Sequence, residues 1–278
     1  MNFTCMMAAM AIKSILITGS TDGIGLEVAK AFAADGHTLL LHGRNAKKLN
    51  EAQKLIQAVP GAGVVETYRA DLTDLKQVQE MADKVRAKHG KLDVLMNNAG
   101  VFKTSSPILP NGQDIRFIVN AVSPYLLTKN LLDIIPADGR VINLSSAAQR
   151  SYRPQALTDA VPPMDDFSAY AGSKLAITQW SAHLAQTLPQ GPAVIAVNPG
   201  SMLGTKMVQA GFGVSGNDIQ IGSDILYRAA LSDEFNMAAT GKYYDNDSRR
   251  FAHPHADAQN KKKCAQVVDI LDEAIEAF

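Results

Sequence analysis

The 278-residue sequence predicts an α/β fold, a doubly wound parallel sheet of about seven strands with helices on both faces. Three observations carry this expectation. Short apolar runs alternate along the chain with longer helix-like stretches, the pattern of strand–helix–strand units. The runs are apolar throughout rather than at every second residue, as parallel strands covered on both faces require. A glycine-rich turn leads directly from the first run into the first helical stretch, and right-handed crossovers then wind the sheet outward in both directions.

The elements follow in order. The first strand is read at 14–19, "SILITG", with a helix at 23–35. The second is "HTLLLHG" at 37–43 with a helix at 46–58, and the third "VVETYRA" at 64–70 with a helix at 73–89. The fourth, "KLDVLMNN" at 91–98, precedes a helix at 112–134. Pro124 has no N–H to give that helix, so a kink is expected there. "RVINLSS" at 140–146 is the fifth strand, before a helix at 167–187. The sixth is "AVIAVNPG" at 193–200, before a helix at 219–231. The seventh is "GKYYDN" at 241–246, and the last helix is read near 257–276. There is no internal repeat and no low-complexity linker, so residues 1–278 read as one domain.

Composition narrows the class. Hydrophobic residues make up 46% and charged residues 19%, ordinary for a globular chain. Lys plus Arg and Asp plus Glu both number 27, so the net charge is zero and nothing favours nucleic acid or an anionic membrane. The two cysteines, Cys5 and Cys264, form no metal-ligand cluster, so no metal is expected, and lone thiols suit a reducing cytoplasm. The start, "MNFTCMMAAM", lacks a basic region and is not expected to be a signal peptide. Residues 1–11 are read as a loose lead, with Met10 an equally good beginning. No run of 18 apolar residues exists, so no membrane-spanning helix is expected.

The turn "ITGSTDGIGLEVAKAF" carries Gly19, Gly23 and Gly25. Glycines there let the backbone turn tightly out of the strand and approach a pyrophosphate. The following helix presents its N–H groups and positive dipole end to the phosphates. The end of the second strand selects between cofactors. A carboxylate there binds the free ribose hydroxyls of NAD. Here Gly43 stands in that place and Arg44 follows. Loss of the anion and gain of a guanidinium favour a 2′-phosphate, hence NADP(H), with NAD(H) the alternative.

"AYAGSKLA" at 169–176 sets Tyr170 and Lys174 on one helix face. A second Tyr-x-x-x-Lys occurs in "YLLTK", at Tyr125 and Lys129, so the spacing alone does not identify a site. The rest of the chain chooses. From about residue 13 to 250 it resembles the short-chain dehydrogenase/reductase family, with that family's Rossmann-like fold and its motifs in order. "TGSTDGIG" is similar to the cofactor loop and supplies Thr18, Gly19, Ser20, Asp22, Gly23, Ile24 and Gly25. "ADL" places Asp71 and Leu72 where the family contacts adenine, and "NNAG" supplies Asn98, Ala99 and Gly100. "IVNAVSPYLLT" offers Asn120, "INLSSAA" offers Ser146, and "NPGSMLGTKM" resembles the segment beside the nicotinamide, with Pro199, Gly200 and Thr205.

The resemblance implies a dehydrogenase or reductase that moves a hydride between the nicotinamide and a carbonyl or alcohol of a small, apolar substrate. Tyr170 would be the proton donor or acceptor. A phenol's ordinary pKa is about 10, and a nearby ammonium, Lys174, is expected to lower it. Lys174 would also bind the nicotinamide ribose, Ser146 would hold the substrate oxygen, and Asn120 would support a water chain to Lys174. Ser145 competes with Ser146. A non-catalytic NADP(H)-binding regulator, or an enzyme of epimerisation or C=C reduction, are the alternatives.

Ser146 and Tyr170 are 24 residues apart, a longer gap than the family's usual one and similar to that of the retinol dehydrogenase-like branch. The intervening 147–166 and the glycine-bearing 201–222 are expected to be loops bounding the substrate. Helices corresponding to 112–134 and 167–187 often pair across a two-fold axis in this family, and their partly apolar outward faces imply a homodimer or homotetramer.

Overall fold

The computed structural model describes residues 11–160 and 162–276. The expected lead, residues 1–10, lies outside the described residues. The expected strands all form: β1 (Ser14–Ile17), β2 (Thr38–Gly43), β3 (Val65–Arg69), β4 (Val94–Asn97), β5 (Arg140–Leu144), β6 (Ala193–Asn198) and β7 (Tyr243–Asp245). An eighth, β8 (Arg250–Ala252), was not anticipated. It is three residues long and exists by pairing antiparallel with β7. The sheet order is β3-β2-β1-β4-β5-β6-β7-β8, parallel from β3 through β7. The order reverses between β1 and β4, and in such sheets ligands bind outside the strand ends at that point.

Helices α1 (Gly23–Ala34), α2 (Ala46–Gln57) and α3 (Leu75–Lys88) fall where expected, each started by an N-cap side chain, Asp22, Asn45 and Asp74. The stretch read as one helix over 112–134 is divided. α4 (Ile115–Phe117) passes into a wide π turn at Ile118–Val122, then α5 (Ser123–Leu131). The expected kink is realised as this wide turn. Pro124 cannot donate to the Asn120 carbonyl four residues earlier, and the Ser123 N–H instead reaches back five residues to Ile118.

α6 (Asp166–Thr187) is the long helix of Tyr170 and Lys174. α7 (Lys206–Phe212) is a short helix inside the expected loop, followed by α8 (Gln220–Leu231). The last helix is broken at Asn260 into α9 (Ala256–Gln259) and α10 (Lys261–Glu276). The loop over 147–166 is partly docked: Ala156 and Leu157 join the core, and Tyr152 packs on Phe117 at 5.2 Å.

Alternate strand residues feed two cores. Leu16, Leu95, Val141 and Val194 face α3, α5, α6 and α10. Ile15, Ile17, Ile142 and Ile195 face α1, α2 and α8. The α5–α6 face on which a two-fold pair was expected is covered by α10 of the same chain, through buried Val267, Val268 and Leu271. Tyr125 and Lys129 both reach Asp272 of α10, at 2.7 and 3.2 Å. The apolar surface behind that expectation is used within the chain.

Candidate active site

A cleft of about 570 Å³ opens at the strand ends beside the reversal point. Its floor is the glycine turn. A Cβ on Gly25 would lie 2.4 Å from Asn98 Nδ2 and 2.5 Å from the Gly19 carbonyl, so only glycine brings the turn, β4 and α1 together. Thr18 ties the same parts, its hydroxyl accepting from the Asn98 and Ala99 N–H groups at 3.0 Å each. At the start of α1, the Asp22 carboxylate accepts from Gly23 N–H at 2.8 Å and pairs with Lys206. The N–H groups of Ile24 and Gly25 also precede any helical acceptor. Ser20, an expected cofactor contact, is turned away. It is fully buried, with its amide and hydroxyl both engaged with the His42 backbone at 3.0 Å.

His42 is a residue the sequence reading missed. Its Nδ1 accepts from Gly19 N–H at 3.1 Å and its Nε2 bonds the Ala70 carbonyl at 3.2 Å, linking the turn to β2 and β3. Burial pushes its pKa down to about 4, so the ring is neutral at neutral pH. Thr21, Lys48 and Lys206 also border the cleft and were missed, as were their neighbours Asn45 and Val101, whereas Met207 borders it from the 201–222 segment expected to bound the substrate. Lys48 was within reach of reasoning, since it sits in the first turn of α2, four residues after Arg44.

Arg44, Asp71, Leu72, Asn98, Ala99, Gly100, Pro199 and Thr205 line the cleft as expected. Asp71 folds onto Thr73, accepting from its N–H at 3.0 Å and its hydroxyl at 2.9 Å. Thr205 also caps α7 through Val208 N–H at 3.3 Å. Gly200 does not border the cleft; its turn faces Leu203, Ile221 and Asn246.

At the far end stand Tyr170 and Lys174. The N-terminus of α6 is anchored by Asp166, which receives a 2.6 Å bond from fully buried Arg116, itself gripped by Asp114. Asn120 lies in the π turn, fully buried. Its side chain clamps Val101, accepting at 2.7 Å and donating at 2.9 Å, and donates to Ser173 of α6. Its carbonyl is the one that Pro124 cannot serve. A Cβ on Gly100 would stand 3.5 Å from both Asn120 Oδ1 and Lys174 Nζ, so the glycine keeps the cleft open toward them.

Lys174 is 4% exposed and its Nζ donates to the Leu144 carbonyl at 2.6 Å. Burial brings its pKa down to about 8. The Tyr170 phenol is pushed up from its usual value by burial, with the neighbouring Ser146 hydroxyl opposing. The net direction is therefore upward rather than the expected lowering, because burial outweighs the opposing groups; the Lys174 ammonium stands 5.7 Å from the ring and donates to Leu144.

The two serines separate. Ser145 is buried, and its hydroxyl is occupied by Thr178 at 2.6 Å and the Lys174 carbonyl at 3.2 Å. Ser146 is half-buried, and its carbonyl accepts from Gln149 Nε2 at 3.0 Å and Tyr243 hydroxyl at 3.1 Å. Gln149 in turn accepts from His255 N–H at 3.0 Å. These positioning residues were invisible in sequence, Tyr243 being 97 residues from Ser146. Among the described residues, no three His, Cys, Asp or Glu side chains gather to hold a metal, and no helix is long and apolar enough to cross a membrane.

Comparison with known proteins identifies the family. The sequence model for short chain dehydrogenases matches residues 13–212. Retinol dehydrogenase 13 of Mus musculus is 33% identical over 193 residues, covering 68% of this chain and 58% of the mouse protein. Short-chain dehydrogenase TIC 32 A, chloroplastic, of Brassica napus is 31% identical over 215 residues, 72% of this chain and 67% of that one. A crystal structure from Mycobacterium paratuberculosis superposes with a TM-score of 0.76 over 96% of this chain and 97% of the other, and at 22% identity it shows the fold alone. A short chain dehydrogenase of Escherichia coli CFT073, complexed with NADPH, superposes with a TM-score of 0.67 at 27% identity over 84% of this chain and 96% of that chain. By the match to its sequence model and by these relatives, the chain belongs to the short chain dehydrogenase family.

Proposed function

We propose that the chain is an NADP(H)-dependent oxidoreductase that interconverts a carbonyl and an alcohol of a small, apolar substrate. The observation that carries this reading is one cleft with Arg44 and Lys48 at one end and Tyr170 and Lys174 at the other. The glycine turn fits a dinucleotide, since the close packing at Gly25 clears a floor for a pyrophosphate. A bound nicotinamide would supply the hydride. NADP(H) is favoured over NAD(H) for a steric reason as well as a charge reason. A Cβ on Gly43 would stand 2.5 Å from Thr21 Cγ2, so no carboxylate fits there, whereas Arg44 and Lys48 can meet a 2′-phosphate. The solved relative complexed with NADPH supports the same choice.

In reduction, the substrate oxygen sits between the Tyr170 and Ser146 hydroxyls. As the carbonyl carbon accepts the hydride, the oxygen takes the Tyr170 proton, and the alcohol leaves. A phenol whose pKa is raised by burial is held protonated, which suits this direction. Lys174, charged below about pH 8, stabilises the phenolate that remains. The Asn120 carbonyl gives water a place from which to return the proton. Asn120, Ser146, Tyr170 and Lys174 together leave a pure cofactor sensor without a reason for its proton donor. Residues 1–278 are read as one domain in a reducing, cytoplasmic setting, supported by the single sheet and by the two lone cysteines.

Single-turnover oxidation of NADPH with a panel of ketones and enones tests the chemistry; turnover of enones alone would assign C=C reduction instead. Calorimetric titration tests the cofactor. Arg44→Ala should weaken NADPH about 10- to 150-fold, from a charged contact of roughly 1.5–3 kcal/mol, and leave NADH nearly unchanged. Equal loss for both would give Arg44 a purely structural role.

A further inference from the structure

Two further aromatic rings adjoin Tyr170, just outside the residues that line the cleft, and they are held differently. Phe102 stands edge-on to Tyr170, with centroids 5.0 Å apart and planes at 63°. Phe212 lies on Phe102 at 5.4 Å with planes 20° from parallel. Phe102 is 7% exposed and has backbone against its edge, since a Cβ on Gly211 would fall 2.4 Å from its Cε1. Phe212 is 50% exposed. It ends α7, a helix with no buried residue, which stops at left-handed Gly213. The start of α7 is tied to the cleft by Lys206–Asp22, an ion pair exposed on both sides and weak for that reason.

A half-exposed ring contributes little to a core. What Phe212 does is cover a face of Phe102, the ring that packs against Tyr170. We propose that this face of Phe102 is the seat for a planar aromatic ring of the substrate, and that Phe212 occupies the seat until α7 moves aside. The substrate class is a ketone or aldehyde attached to an aromatic ring. This rests on the oxidoreductase reading of the Tyr170 site and sharpens its substrate.

The chemistry of the surroundings points the same way. Val101 and Met207 also line the cleft, both apolar, and Met207 is a soft, adaptable neighbour for a ring. The polar groups there, Tyr170, Ser146 and Lys174, are all claimed by the reacting carbonyl and the cofactor. A planar ring entering would exchange the Phe212 stack for its own, so the aromatic contact is kept. A puckered aliphatic ring would break the stack without replacing it. Such a contact is worth roughly 2- to 12-fold in affinity.

Acetophenone and cyclohexyl methyl ketone carry the same methyl ketone on a flat and a puckered ring. Calorimetry with enzyme loaded with NADP+ should show acetophenone bound roughly 2- to 12-fold more tightly. Phe102→Leu should abolish that ratio, and Phe102→Tyr, which keeps the flat face, should preserve it. The ratio of kcat/KM values should change in parallel, and comparing variants cancels the difference in intrinsic reactivity of the two ketones. Equal binding of the two ketones by the wild type, or an unchanged ratio in a folded Phe102→Leu, would overturn the aromatic seat. A binding preference without any NADPH oxidation would leave the seat standing and overturn the oxidoreductase reading instead.

Discussion

Two segments of this molecule carry the same spacing and nearly the same local geometry. In each, a tyrosine precedes a lysine by four residues, and the lysine nitrogen lies 5.7 Å from the ring centre. They differ in the third group. Tyr125 donates to a carboxylate, Asp272, at 2.7 Å, packs edge-on to Trp180 at 5.5 Å and is sealed beneath α10. Lys129 is 37% exposed and salt-bridged to the same Asp272. Tyr170 meets a serine hydroxyl and borders the cleft, and Lys174 is buried with no carboxylate beside it. A tyrosine bound to a carboxylate is fixed as a donor to that carboxylate. A tyrosine facing a neutral hydroxyl and an open cleft can hand its proton to something else. The helical spacing brings the pair together, and the surroundings decide whether it is packing or chemistry.

Substitution at the tyrosines should separate the two pairs most widely. Tyr170→Phe removes the proposed proton donor and should reduce turnover by several orders of magnitude with NADPH affinity nearly intact. Tyr125→Phe should leave kcat unchanged and cost about 1.5–3 kcal/mol of stability, the loss of one hydrogen bond to a charged partner. Steady-state kinetics and thermal melts on both variants check this. Activity surviving in Tyr170→Phe would remove the distinction altogether.

The lysines should differ next. The folded pKa of Lys174, about 8, is below its ordinary value of 10.5. The folded state therefore disfavours its charge. The full penalty is present below about pH 8, and it is relieved as pH rises toward 10.5, so wild-type stability should climb across that window. Lys174→Met should abolish turnover yet raise stability at pH 7 by about 1–2 kcal/mol, the desolvation relieved outweighing the lost bond to Leu144. It should also lack the climb. Lys129→Met, removing a half-exposed ion pair, should change stability by no more than about 0.5 kcal/mol. Urea melts at pH 7 and pH 9.5 measure both, and a Lys174→Met variant less stable than wild type at pH 7 would show that the buried ammonium supports the fold.

The smallest effect tests how the Ser146 side of the site is held. Tyr243→Phe deletes one of two donors to the Ser146 carbonyl and leaves Gln149 in place. We expect kcat to fall about 2- to 12-fold, the value of one ordinary hydrogen bond, with the dissociation constant of NADPH unchanged. A change in cofactor affinity without a change in kcat would mean that Tyr243 braces the sheet rather than the serine.

Much of the cofactor side was legible because its residue types are dictated locally. Gly25 must be glycine where the Gly19 carbonyl six residues earlier crowds it, and apolar runs mark strands buried on both faces. The inward direction of Ser20 was not legible, because a hydroxyl in a turn carries no sign of its direction; the strand beside it, at His42, turned it inward. The wide turn at Asn120 was half legible: Pro124 announces a disrupted helix, and only the packing of α4 and α6 made the disruption a π turn.

By itself, then, the sequence determined the strand–helix order, the glycine turn, the absence of a carboxylate beside Arg44 and the two candidate tyrosine–lysine pairs. Tertiary structure alone decided which pair faces a cleft and which lies under α10, that Ser145 is consumed by α6, and that Tyr243 and Gln149 hold Ser146. It also laid Phe212 over Phe102, 110 positions apart. The physical reason is range. Periodicity, capping and steric crowding act within a few residues and leave their mark in the string of letters. Hydrogen bonds and ring contacts between residues a hundred positions apart exist only after the sheet has brought them together, and nothing in either residue's own neighbourhood records the other.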